Sequence, residues 1–170
     1  MLSPSDELRY SPGSLVVVVS ASADDRDRFV ERVFEDRAAI LSPDKVRALL
    51  TGRVAAAELE ARVGQLLAAA VQKRLQASET VVLAVDGLDA GEREPYLRMA
   101  AGLKRPRHLV LLETSRDQVG EEDRAPLNEL RRALDAGDVG AEGFQTAVRL
   151  GGGMVAELKR IVFESAARDR

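Results

Sequence analysis

Three apolar runs without polar alternation punctuate this chain: Leu15-Val16-Val17-Val18-Val19, Val81-Val82-Leu83-Ala84-Val85 and Leu109-Val110-Leu111-Leu112. A continuous run of this length, rich in Val and Leu, is the pattern of a strand buried on both faces. Between the runs the apolar spacing turns helical. Phe29, Val33 and Phe34 share one face of a helix over about Arg26 to Arg37. Ser42-Pro43-Asp44 predicts a helix start, with Ser as cap, Pro in the first turn and Asp complementing the dipole. Val54 to Ala77 reads as a long helix on Leu59, Val63, Leu66, Leu67, Ala70 and Leu75. Glu92 to Leu103 and the charge-rich Glu121 to Ala136 read as two more. Ala39-Ile40-Leu41 and Phe144 to Leu150 are short strand candidates. After Gly151-Gly152-Gly153, Val155, Leu158, Ile161, Val162 and Phe163 predict a C-terminal amphipathic helix.

Strands alternating with helices predict an α/β fold: three layers, a parallel sheet of about five strands, and helices on both faces. Residues 1–14 are polar, carry two prolines and a glycine, and read as a flexible arm. Residues 15–170 read as a single domain with no internal repeat and no dividing linker. Ligands on such sheets bind beyond the carboxyl ends of the strands. That directs attention to Ser20–Arg28, Ser42–Arg47, Asp86–Gly91 and Glu113–Asp117.

Composition narrows the chemistry. Aromatics are 4% of the 170 residues with no Trp, so Val, Leu and Ala must pack the core. The net charge of −3, with acids and bases interleaved, gives no broad basic face for nucleic acid. Without cysteine there is no disulfide, thiolate metal site or Cys nucleophile. The N-terminal stretch lacks a secretory pattern and the apolar runs are too short to span a membrane, so a cytoplasmic address is expected. The single His108 lacks the partners that a metal site or a triad needs.

Taken in order, these segments resemble the polynucleotide-kinase-like branch of P-loop kinases, over roughly Leu15 to Leu150. Ser42-Pro43-Asp44-Lys45-Val46-Arg47 is similar to that family's S-x-D-x-x-R motif. Arg74-Leu75 followed by Val81–Asp86 is similar to the segment that ends in its D-A-T-N stretch, with Arg93 seven residues after Asp86. Leu109–Leu112 and the polar Glu113–Arg124 correspond to its strand and lid. The resemblance implies that Asp44 is the general base on an acceptor hydroxyl and that Arg47 grips an acceptor phosphate. Without it, Asp44 is a first-turn helix acid and Arg47 its (i, i+3) partner. Arg124 and Arg131 stand in the lid region, where arginines stabilise a transferring phosphoryl group in working kinases. Interleaved charge of this kind also marks a solvated helix face.

The loop after the first strand departs from the family pattern. An active member carries G-x-x-x-x-G-K-[ST], in which glycines let amides converge on phosphate, Lys reaches the β and γ oxygens, and the hydroxyl holds Mg²⁺. The octet here is Ser20-Ala21-Ser22-Ala23-Asp24-Asp25-Arg26-Asp27. Ser20 and Asp25 stand in the glycine places, Arg26 in the lysine place and Asp27 in the hydroxyl place. A left-handed conformation costs a residue with Cβ about 1–2 kcal/mol. A like-charge contact between carboxylate and phosphate costs about 4 kcal/mol at 4 Å and an effective dielectric of 20. A micromolar nucleotide complex has only about 8 kcal/mol to lose. The expectation is a pseudo-kinase-like domain that is non-catalytic, takes no cofactor and binds a protein partner.

Two enzyme readings stand beside it. An active kinase would use ATP and Mg²⁺, with Asp44, Arg47 and Arg26 as base, clamp and lysine substitute, and phosphorylate a nucleic-acid end or a small-molecule hydroxyl. Alternatively, Asp86-Gly87-Leu88-Asp89-Ala90-Gly91 is similar to the D-x-D-x-x-G segment of Toprim domains, with one extra residue. Its aspartates would hold Mg²⁺ for phosphodiester chemistry. Asp24, Asp25 and Asp27 with Asp86 are also a conceivable cation set, although helix capping accounts for the first three.

Overall fold

The computed structural model describes residues 7–85, 88, 90–114, 119–138, 140, 143–151, 158 and 160–163. In chain order the elements are β1 (Glu7–Tyr10), β2 (Leu15–Ser20), α1 (Ala23–Val33), β3 (Ile40–Leu41), α2 (Pro43–Leu50) and α3 (Leu59–Gln76). Then come β4 (Val81–Ala84), α4 (Ala90–Gly102), β5 (Arg107–Leu112), α5 (Glu121–Ala136), β6 (Thr146–Leu150) and β7 (Arg160–Phe163). Five strands form a parallel sheet in the order β3-β4-β2-β5-β6. The fold is α/β, with the sheet between helical layers, consistent with a P-loop kinase-like architecture.

The first apolar run lies at the centre. Leu15 to Val18 pair with Val81 to Ala84 on one side, and Leu15 to Ser20 pair with Arg107 to Leu112 on the other. Successive side chains leave a strand on opposite faces. Leu15, Val17 and Val19 therefore meet Leu67, Val71 and Leu75 of α3, Leu97 of α4, and Leu127 and Leu130 of α5. Val16 and Val18 point the other way, toward Phe29, Val30 and Val33 of α1. Every residue of Leu15–Val19 is 0% exposed, which is why the run needs no polar alternation.

The end of the chain departs from expectation. Arg160–Phe163, read from the sequence as part of an amphipathic helix, is a strand that pairs in parallel with Glu7–Tyr10. Glu7–Tyr10 was read as part of a flexible arm. The α1 face of the sheet is wider than one helix covers. Leu158 and Ile161 fill the remainder against Val110, Leu112 and Leu150. A short apolar run such as Ile161-Val162-Phe163 suits helix or strand alike, and the partner strand decides.

The long helix also starts later than its apolar spacing suggests. Thr51 and Val54 form a bridge across Gly52, whose φ is +84°, and a short 3-10 turn at Ala56–Glu58 follows before α3 begins at Leu59. Among the described residues no helix is long and apolar enough to cross a membrane.

Leu83 packs in the centre of β4 at 0% exposure. Leu83→Ala is expected to cost about 2–5 kcal/mol, measured as a lower urea midpoint with an unchanged slope. Leu49→Ala, at a residue 67% exposed, is expected to stay within about 0.5 kcal/mol.

Candidate functional site

All five sheet strands run the same way, so their carboxyl ends share one edge. β2 enters that edge between β4 and β5, and its two neighbours are reached by crossovers to opposite sides. Such a switch point opens a crevice, and α1 begins there. The connection is short. Ser20 ends β2 and Ala23 already belongs to α1. Ser20 Oγ accepts the Ser22 amide at 3.1 Å, and Ser22 Oγ accepts the Asp25 amide at 3.3 Å. The Arg26 amide bonds to the Ser22 carbonyl at 3.0 Å. Serine side chains thus cap the turn and helix, while Asp24 and Asp25 occupy the first turn where the dipole favours acids. No residue of 20–28 has a positive φ; the only described non-glycine residues that do, Ser78 and Lys104, follow the ends of α3 and α4.

From α1 a chain of alternating charge runs across three helices. Arg26 is 2% exposed, donates from Nε to Asp27 Oδ1 at 3.0 Å, and brings Nη2 to 4.0 Å from Asp44 Oδ2. Asp44 lies in the first turn of α2, which Ser42 caps by accepting the Lys45 amide at 3.1 Å. Asp44 also accepts a bond from Arg47 one turn later. Arg47 in turn makes a two-pronged pair with Glu60 of α3, Nε to Oε2 at 2.9 Å and Nη2 to Oε1 at 2.8 Å. The Glu60 bond raises the Arg47 pKa further, and the Arg47 bond holds the Glu60 carboxyl below its ordinary value. The structure therefore brings Arg26, Asp27, Asp44 and Arg47 together. Ser20 and Asp25 sit in the neighbouring turn, where Asp25 pairs with Arg28.

A second cluster forms on the other side of β2. Glu113 follows β5 directly, and its amide bonds to the Leu150 carbonyl at 2.7 Å. Its carboxylate accepts Arg131 Nε at 2.9 Å and Nη2 at 2.7 Å, and Arg149 Nε of β6 at 2.6 Å. Burial opposes its ionisation, yet the bonds from Arg131 and Arg149 outweigh burial and hold its pKa below the carboxylate range. Gly151 permits the close approach: a Cβ there would lie 3.0 Å from that of Glu113. Arg131 and Arg124 also line one cavity of about 350 Å³, together with Val119, Leu127 and Asn128. The two lid candidates are thus neighbours, although one of them is already paired.

Glu60, Glu113 and Arg149 were not among the residues singled out from the sequence. Glu113 opens one of the loop segments flagged there, but nothing local pointed to its partners. Glu60 lies thirteen residues from Arg47 on another helix, and no spacing rule connects such positions. Asp86 and Asp89, which the kinase and Toprim readings need, lie outside the described residues. Among the described residues there is no cluster of three His, Asp or Glu side chains suited to a metal. His108 sits away from the carboxyl edge, stacked on Tyr10 at 4.4 Å, with Nδ1 2.7 Å from Thr146 Oγ1. Burial, then the charge of Arg107, lowers its pKa.

Because the folded pKa of Glu113 is depressed, its stabilisation is complete above the ordinary value of 4.5 and is lost as pH falls through the folded value. Glu113→Gln is expected to lower stability at pH 7 by about 1–2 kcal/mol. In urea titrations across pH, the gap between the two proteins should close as the solution becomes more acidic than the carboxylate range. A constant gap would rule out the ion cluster as its source.

Comparison with known proteins adds the family. Residues 25–133 match the family described as an AAA domain, which is more than half of the chain. The match starts just after the β2–α1 turn and ends within α5. No curated protein matches the chain. On the family match and the order of its sheet, the chain belongs to the AAA domain family, a P-loop kinase-like family.

Proposed function

We propose that this domain is a pseudo-kinase-like member of the polynucleotide-kinase-like branch, non-catalytic and cytoplasmic, that acts by binding a protein partner. The observation that carries the reading is the β2–α1 turn. In a working P-loop, the residues between the two glycines form an open loop whose amides surround phosphate. In this chain two of the corresponding residues, Ala23 and Asp24, are already helical, as is Asp25 in the second glycine place. The Asp25 amide is held by Ser22, and none of residues 20–28 takes the left-handed conformation that an anion nest requires. Asp24 and Asp25 bring negative charge to the position a polyphosphate would approach.

The acceptor side supports the same reading. A clamp must have a free fork for phosphate. Asp44 is bonded to Arg47 and lies near Arg26, while both prongs of Arg47 are taken by Glu60. Arg26, in the lysine place, is 2% exposed and donates to Asp27. Ion pairs within the protein occupy the Arg47 fork that a kinase would present to an acceptor phosphate.

Calorimetric titration of the full chain with ATP and Mg²⁺ tests the proposal. No saturable heat is expected at nucleotide concentrations up to about a millimolar, an affinity near −4 kcal/mol. Micromolar binding that Arg26→Ala abolishes would overturn the reading in favour of an ATP-dependent kinase. Mg²⁺ binding without nucleotide that Asp86→Asn abolishes would favour the phosphodiester chemistry of a Toprim-like site.

A further inference from the structure

Next to the Arg47–Glu60 pair, the hairpin of α2 and α3 carries a hollow with no cover among the described residues, its lining shared between apolar and polar side chains. Leu49 and Leu66 are the large hydrophobic residues that stand exposed among those described, at 67% and 46%. Leu66 lies off the stripe of α3 that faces the core, which is made by Val63, Leu67, Val71 and Leu75. Leu50, Val54 and Leu66 line a cavity of about 370 Å³, rimmed by Arg53, Arg62 and Glu58. Its wall is held in shape. Thr51 and Val54 are bridged, the Arg53 amide bonds to the Leu50 carbonyl at 2.9 Å, and the Thr51 hydroxyl donates to the Arg47 carbonyl at 2.8 Å.

The charge of this hollow runs against that of the chain. Net charge is −3 overall, but the cavity lining holds two arginines and one glutamate. Glu60, the next acid on α3, is bound to Arg47. Neither Arg53 nor Arg62 makes an ion pair or side-chain hydrogen bond with any described residue. Two available guanidinium groups beside an apolar floor match a ligand that is apolar along one stripe and acidic at its margins. The lining has no aromatic ring on which a nucleic-acid base would stack.

We infer that the α2–α3 hairpin is the docking surface for an acidic amphipathic helix of a protein partner. Leucine-like side chains at i, i+3 or i+4 and i+7 would enter the hollow over Leu50, Val54 and Leu66. Flanking carboxylates would meet Arg53 and Arg62, steering encounter and fixing direction. The inference rests on the proposed partner-binding role and names its surface and the chemistry of its partner.

Selection of a randomised 16-residue peptide library displayed on phage, against the full chain, tests it. Expected are enriched peptides with apolar residues at helical spacing flanked by Asp or Glu. Their binding in fluorescence anisotropy should weaken at least tenfold with Leu66→Ser and with the pair Arg53→Glu and Arg62→Glu. Substituting Lys for the peptide acids should restore binding to the charge-reversed protein. These positions are exposed, and unchanged circular dichroism and melting would show that the variants fold. Enrichment of basic peptides, binding indifferent to these substitutions, or no enrichment at all would overturn the inference. Sedimentation that shows self-association lost in Leu66→Ser would also overturn it, since a second copy would then be the occupant. Nucleotide binding in the calorimeter would sink the non-catalytic reading but leave this surface standing. Failed selection with a silent calorimeter would do the reverse.

Discussion

Burial of both faces of β2 is the constraint on which the molecule depends. Fully burying a Val or Leu side chain is worth about 1.5–3 kcal/mol, and all of Leu15–Val19 are buried. That gain requires cover on both sides. Helices α3, α4 and α5 supply one cover, and α1 with the β1–β7 ribbon supplies the other. The parallel direction of the neighbouring strands then sends every following loop to one edge. The site positions are gathered there as a consequence of how the core is covered.

At that edge, neutralisation within the protein dominates. Two arginine–carboxylate clusters, one centred on Asp44 and Arg47 and the other on Glu113, flank the end of β2. The exposed pairs of Arg47 with Asp44 and Glu60 contribute little to stability, whereas Glu113 is largely buried. Their chemical effect is larger, because a guanidinium fork bound to a carboxylate is not presented to a phosphate. These ion pairs join α1 to α2, α2 to α3, and β5 to α5 and β6.

Much of the fold was legible in the residues. The three apolar runs became β2, β4 and β5, and the Ser42-Pro43-Asp44 cap began α2 as its chemistry demands. The charged segment became α5 with the bounds read from it, Glu121–Ala136. These features are local: a cap, a dipole or a β-branched run acts within a few residues. Among the site residues, the contact of Asp44 with Arg47 was legible for the same reason, as a one-turn helix pair. The partners of Arg26, Arg47 and Arg131 on other elements were not, since they depend on how helices lie on the sheet.

By itself the sequence determined the α/β class, the buried strands and a stretch between Ser20 and Asp27 that holds neither glycine nor lysine, because each follows from residue type and short-range spacing. Only the tertiary structure decided that Ile161 and its neighbours form a strand, that Glu60 takes Arg47, and that Glu113 gathers Arg131 and Arg149. Those outcomes join residues far apart in the chain. Their energy comes from contacts that exist only once the sheet has brought the elements together.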